Sequence, residues 1–148
     1  MLHAGHCGVI LVAAAGNAGA KSPPLYPAAD ESAVAVSATD SRDRLFKLAN
    51  RGKYIAVAAP GVEIIALAPG NSTAITTGTS VAAAHISGLA ALAMERAIKI
   101  NAEDFRKILK ESASKLQAPA NSVGAGRADA MTLVDEAAKL DQNLTAQQ

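Results

Sequence analysis

The first half of the chain alternates short apolar runs with turns rich in Gly and Pro, a pattern that predicts strands. The segment 8–15 is continuously apolar and bounded by glycine, as is typical of a strand buried on both faces of a parallel sheet. Residues 33–39 predict a second strand, and shorter runs at 54–58, 63–68 and 73–77 predict three more. The Pro-Gly-Asn turn between the last two predicts a hairpin.

The second half changes to helical periodicity. Residues 80–98 are apolar nearly all round, which predicts a helix buried on every side. Asn101 is placed to cap an amphipathic helix over 101–113, and apolar spacing predicts a third helix over 131–138. Aromatic residues make up only 3% of the chain and small residues dominate, which suits closely packed elements and favours a tightly packed α/β protein.

Composition supports a single globular domain over residues 1–140, followed by a polar tail over 141–148. Of the 148 residues, 50% are apolar and 18% are charged, so the chain can form a core. The net charge is +1 and basic residues are scattered, so we expect neither a nucleic acid nor a membrane partner. No basic residue precedes the apolar run at 9–15, so a signal peptide is not favoured, and the sequence leaves the compartment open.

A cysteine and two histidines near the N-terminus could form a reactive or metal-binding site, but simpler interpretations are favoured. Cys7 is the single cysteine, which excludes an internal disulfide, and we interpret it as a small buried hydrophobe. His3 and His6 are spaced as a possible metal pair or base, but two ligands without a third make a poor site. We therefore expect no metal and no cofactor, although calcium is left undecided.

Ser80 is the candidate nucleophile because it directly follows a glycine-containing turn and begins a helix. The N-terminus of a helix presents unpaired N–H groups and positive potential, which stabilise negative charge on a reacting oxygen. Serine is also a common helix cap, so position alone leaves both interpretations open.

Two motifs then resemble the subtilase family of serine proteases. Gly78-Thr79-Ser80, followed by His85, resembles the family's nucleophile motif, although VAAA stands at 81–84 where the family has Met-Ala-Ser-Pro. The sequence VAAAGN at 12–17 resembles the strand and turn that deliver the oxyanion asparagine. Weaker matches lie at LYPA (25–28), AVAV (33–36), APG (59–61), Gly70 and GAGRADA (124–130), so the resemblance covers about residues 5–140.

The resemblance implies part of a doubly wound parallel sheet in a three-layer αβα domain, with the N-terminal half missing. It implies that Ser80 attacks a peptide carbonyl and that the Asn17 amide and the Ser80 N–H hold the oxyanion. It further implies a cis peptide bond at Tyr26-Pro27. The residues expected beside the substrate are Gly16, Tyr26, Pro27, Gly78 and Thr79.

The Asp and His of the family's triad are the missing parts. They lie upstream of the Gly-Asn turn in subtilases, whereas only residues 1–7 precede the strand here. His85 is about 500° further round the helix than Ser80, so it points away and is expected to pack structurally. We interpret the turn acids as solvated: Asp30, Asp40 and Asp43.

Two functions follow. The chain is either a serine endopeptidase that needs its N-terminal half, from a longer polypeptide or a separate partner, or an inactive remnant that at most binds peptides or a protein. The missing half also predicts exposed apolar surface and therefore association or poor solubility.

Overall fold

The structure is a computed structural model that describes residues 8–146. The interpretations of His3, His6 and Cys7 lie outside the described residues. The strands are β1 (Leu11–Ala14), β2 (Ala33–Thr39), β3 (Ile55–Pro60), β4 (Ile64–Ala68) and β5 (Ser72–Thr76). The helices are α1 (Thr79–Arg96), α2 (Ala102–Glu111), α3 (Ala120–Val123) and α4 (Ala130–Ala146).

The central sheet contains β1, β2 and β3 in that order, with parallel pairing throughout. Every residue of β2 is buried, as its apolar run predicts. The prediction that the first strand is buried on both faces was wrong: three of its four residues are only half-buried. The reason is its position, because β1 pairs with β2 alone among the described strands and forms an edge of the sheet.

The strands β4 and β5 form the predicted antiparallel hairpin, with Ile65 opposite Ile75 and Ala68 opposite Ser72. Gly70 and Asn71 both have positive φ, as a tight turn requires. The hairpin therefore forms a separate two-stranded sheet directly before α1.

The helix α1 packs against the central sheet through one stripe of small and branched residues, namely Ala82, Ile86, Ala90 and Ala93. Apolar residues that flank this stripe are exposed, with Leu92 and Met94 each 47% accessible. The prediction of a helix buried on every side was therefore wrong for the described chain. A helix that packs on one sheet buries only the stripe of its own surface that faces the sheet, whatever the composition of its remaining surface.

The helix α2 begins as predicted, because the Asn101 side chain accepts hydrogen bonds from Glu103 N and Asp104 N. Its apolar stripe, Phe105, Ile108 and Leu109, is buried in the core shared with α1. The last helix is longer than the sequence indicates: α4 continues to Ala146, through most of the segment expected to be a polar tail. The domain boundary at residue 140 stays a prediction.

Two core clusters occupy the two faces of the central sheet. The larger joins Val34 and Val36 of β2 to the buried stripes of α1, α2 and α4, whereas the smaller consists of strand and loop residues such as Ala33 and Ala35. Of the three layers expected, the described residues thus contain the sheet and one layer of long helices. None of the described helices is long and apolar enough to cross a bilayer.

Candidate active site

The turn that carries Asn17 begins where β1 ends, at the carboxyl end of the parallel sheet. Gly16 has a φ of 105°, a conformation that favours glycine. A Cβ at this position would clash with the side-chain amide of Asn50. The chain therefore needs glycine at position 16 to bring Asn17 to the edge of the sheet.

Thr79, the first residue of α1, joins this turn to the helix. Its hydroxyl accepts a hydrogen bond from Gly16 N at 3.1 Å and donates one to Asn17 Oδ1 at 2.9 Å. Its backbone N–H also donates to Asn17 Oδ1, at 3.0 Å. Thr79 is fully buried, so its side chain holds the two segments together from the inside.

These bonds set the orientation of the Asn17 amide. A backbone N–H can only donate, so the side-chain atom that faces Thr79 N must be the oxygen. Both acceptor positions of that oxygen are used by Thr79. The Nδ2 group consequently points the other way, toward Gly78, where a Cβ added to residue 78 would lie 3.1 Å from it.

Ser80 lies in the first turn of α1 and is exposed. The helix has Gly78 as its N-cap, without a side-chain cap, so the Ser80 N–H has no intrahelical acceptor. Gly78 is fixed by a 2.7 Å hydrogen bond from its N–H to the Gly61 carbonyl. The structure thus brings together an exposed serine hydroxyl, its free N–H and an asparagine amide with its donors directed outward.

The loop that contains Tyr26 and Pro27 lies beside the same turn. The peptide bond between these residues is cis, which confirms the prediction from the resemblance. Leu25 contacts the position that a Cβ on Gly16 would occupy, and Tyr26 is 77% exposed. This places the loop at the site, while the substrate contacts expected of Gly16, Tyr26, Pro27, Gly78 and Thr79 stay predictions.

His85 is the one histidine among the described residues, and it is exposed on α1, with Nδ1 donating to the Val81 carbonyl at 3.0 Å. The expectation that His85 packs inside the fold was wrong, because it lies on the side of α1 that the sheet does not cover. No group of three or more potential ligands in the described part of the chain could hold a metal ion.

The turn acids form hydrogen bonds or ion pairs; the interpretation of solvated residues is confirmed for the exposed Asp43 and was wrong for Asp30 and Asp40, which are half-buried. Hydrogen bonds from the Arg44 N–H and the other donors of that turn lower the pKa of Asp40. Asp43 forms an ion pair with Arg127 at 3.0 Å. Hydrogen bonds from the Ser32 hydroxyl and N–H lower the pKa of Asp30. Each carboxylate is committed to its own turn or to a neighbouring arginine.

Comparison with known proteins identifies this arrangement. A family model described as the Subtilase family matches residues 2–126. The chain belongs to the subtilase family.

Subtilase relatives include the thermophilic serine proteinase of Bacillus sp. (strain AK1), which is 37% identical over 127 residues, covering 86% of this chain and 31% of that protein. Thermitase of Thermoactinomyces vulgaris is 35% identical over 127 residues, covering 86% of this chain and 44% of that protein. The solved structure of the prenylagaramide maturation protease PagA superposes with a TM-score of 0.80 at 25% identity, covering 89% of this chain and 52% of PagA. This subtilase chain thus spans between about a third and half of the length of its relatives, and its fold is part of a subtilisin-like α/β domain.

Sequence reasoning did not single out Asn50, which accepts a hydrogen bond from Ala18 N and so contacts the Asn17 turn from the loop between β2 and β3. In the sequence, Asn50 is followed by Arg51 and Gly52, and asparagine close to glycine is common in ordinary turns. Complete burial of Asn50 is what distinguishes it, and burial within a loop leaves no periodic signal in the sequence.

Proposed function

We propose that this chain carries the nucleophile and the oxyanion hole of a serine endopeptidase. Ser80 Oγ attacks the carbonyl carbon of a peptide bond, the amine leaves, and the resulting acyl-enzyme on Ser80 is hydrolysed by water. The observation that carries this proposal is the orientation of Asn17, whose oxygen is held by Thr79 so that its NH₂ group is directed outward.

The negative charge of the tetrahedral intermediate develops on the former carbonyl oxygen. Asn17 Nδ2 and the Ser80 N–H are donors that are held in place before the reaction, so little reorganisation is needed as the charge appears. The positive end of the α1 dipole adds to the same field. Removing one such donor lowers kcat by about 10²- to 10³-fold, a magnitude measured in subtilisin, a member of this same family.

The general base is proposed to come from residues outside the described part of the chain. In subtilases the triad runs in the order Asp, His, Ser, so the base belongs to sequence that comes before the Asn17 turn. A longer natural polypeptide or a complementary N-terminal half could supply it. We expect a peptide or protein substrate to bind beside Gly16, Gly78 and the Tyr26-Pro27 loop.

A fluorophosphonate probe tests the proposal, because it reacts with a serine whose hydroxyl is activated. Two forms, the 148-residue chain alone and a complete polypeptide in which a subtilase N-terminal half precedes it, are each compared with their Ser80→Ala variants. We expect labelling of the complete polypeptide that is lost in Ser80→Ala, and at most slow labelling of the 148-residue chain alone.

Two outcomes would contradict the proposal in different ways. Failure of the folded complete polypeptide to label would favour the rival function, an inactive remnant that binds peptides or a protein. Rapid Ser80-dependent labelling of the 148-residue chain would show that a base is present within it. In either labelled form, Asn17→Leu should slow the reaction, because the probe's phosphorus oxygen also needs the oxyanion donors.

A further inference from the structure

The loop between β2 and β3 places Asn50 directly against the turn that carries Asn17. The backbone N–H of Asn50 donates to the Gly16 carbonyl at 2.9 Å. Its side-chain Oδ1 accepts from Ala18 N at 2.8 Å. A single residue therefore binds the main chain on both sides of Asn17.

Asn50 is fully buried, and the environment of its side chain is unusual. Its Nδ2 is shielded from solvent and lies near the Tyr54 hydroxyl, but it makes no hydrogen bond of ordinary geometry among the described residues. An unpaired buried donor is unfavourable, so the amide is a poor choice for stability alone. A leucine of similar shape would remove the unpaired donor, but it would also remove the acceptor that holds Ala18 N.

We propose that Asn50 is a positioning residue for the oxyanion hole, acting through the main chain of the turn. Thr79 sets which way the Asn17 amide points, whereas Asn50 sets where the turn itself lies, by holding Gly16 and Ala18. This inference rests on the proposed function of Asn17. It assigns a role to a residue that touches neither the substrate nor the reacting atoms.

The consequence is a specific kinetic defect. An oxyanion donor contributes mainly in the transition state, so a displaced Asn17 lowers kcat while the KM for a peptide substrate changes little. We expect Asn50→Leu to lower kcat by about 10-fold or more, but by less than the roughly 10²- to 10³-fold loss from removing the donor itself.

A conservative variant separates the hydrogen bond from shape. Asn50→Asp keeps an oxygen that can accept from Ala18 N whether the carboxyl is ionised or protonated. It should therefore retain most of the kcat that Asn50→Leu loses. Phe105→Leu is the control for lost stability, since Phe105 is a buried core residue of α2 and contributes nothing to the turn's hydrogen bonds.

The experiment measures kcat and KM of the complete polypeptide, in which a subtilase N-terminal half precedes this chain, with a peptide substrate, together with hydrogen exchange of the Ala18 amide. Asn50→Leu should lower kcat at nearly constant KM and speed Ala18 exchange, while Asn50→Asp restores both and Phe105→Leu leaves kcat unchanged. The inference is overturned if Asn50→Leu keeps its kcat within about two-fold, or if Asn50→Asp and Asn50→Leu are equally impaired.

Hydrogen exchange keeps this test separate from that of the proposed function. If the unsubstituted polypeptide hydrolyses no peptide, the proposed function fails, and Asn50 is judged by exchange and by the NMR signal of the Asn17 side-chain amide. A faster Ala18 exchange and a shifted Asn17 amide signal in Asn50→Leu would support positioning. An unchanged exchange rate and signal would overturn it.

Discussion

Thr79→Val tests the hydrogen-bond network at the start of α1 with almost no change in side-chain shape. Thr79 is fully buried, and its hydroxyl accepts from Gly16 N and donates to Asn17 Oδ1. Valine places a methyl group where the hydroxyl lies. The substitution thus removes two hydrogen bonds while it keeps the volume of the side chain.

The expected loss follows from which groups are left without partners. Asn17 Oδ1 keeps the bond from Thr79 N, so the main penalty falls on Gly16 N, whose acceptor disappears. An unpaired buried donor costs about 1–3 kcal/mol, and the lost hydroxyl bond adds roughly 1 kcal/mol. We expect Thr79→Val to lower the free energy of unfolding by about 2–4 kcal/mol.

Thr79→Ser is the matched variant, because it keeps the hydroxyl and deletes only the methyl group. Removing one buried methyl lowers the free energy of unfolding by about 1 kcal/mol. Urea unfolding of both variants and of the unsubstituted protein gives the free energies, provided that the slope with denaturant is unchanged.

The order of the two variants decides between hydrogen bonding and packing as the dominant effect. Hydrogen bonding predicts that serine is more stable than valine at position 79, by about 1 kcal/mol or more. Packing alone predicts the opposite order, because valine fills the space better. A valine variant equal to or more stable than the serine variant would refute the reasoning.

Two further predictions concern helix termini. Asn101→Ala should lower the free energy of unfolding by about 1 kcal/mol, since Asn101 Oδ1 accepts from Glu103 N and Asp104 N; an unchanged urea midpoint would count against this cap. The hydrogen bond from Thr132 N, with smaller contributions from Ser114 and Arg127, lowers the pKa of Asp129. Because the pKa of Asp129 is lower in the folded protein, its carboxylate stabilises the fold at pH values above the ordinary carboxyl pKa, and this stabilisation is lost as the pH falls below about 4. Urea unfolding should therefore show that Asp129→Asn is less stable than the unsubstituted protein at neutral pH but nearly equal to it near about pH 2.

The parts of the fold that follow from local patterns were predictable from the sequence. The apolar run of β2, the Pro-Gly-Asn hairpin and the Asn101 cap each depend on residues within a few positions of one another. The cis bond at Tyr26-Pro27 was accessible only through the resemblance to subtilases. Asn17 was identified in the same way, whereas Ser80 was already a candidate from its position at the start of a helix, and the structure brings the two residues to one edge of the sheet.

Burial was less predictable, because it depends on what packs against an element. The apolar composition of β1 and α1 indicates complete burial, yet β1 lies at a sheet edge and α1 exposes Leu92 and Met94. The hydropathy of a segment indicates whether its side chains favour burial, but it does not indicate which other elements pack against that segment.

The hydrogen bonds of the site were beyond sequence reasoning for a related reason. Thr79 and Asn50 reach the Asn17 turn across 62 and 32 residues respectively. No periodicity connects positions so far apart, and the orientation of an amide is decided by donors that only the folded chain brings near. The roles of these two residues therefore become visible only in three dimensions.

The same separations bear on the order of events during folding. Contacts that close long loops are entropically expensive and form after the local structure that they join. The bonds from Gly16 and Asn17 to Thr79 join β1 to α1 across the whole of β2 and the segments that follow it. A partly folded chain therefore lacks the hydrogen bonds that orient the Asn17 amide, and we expect the proposed oxyanion hole to be assembled late in folding.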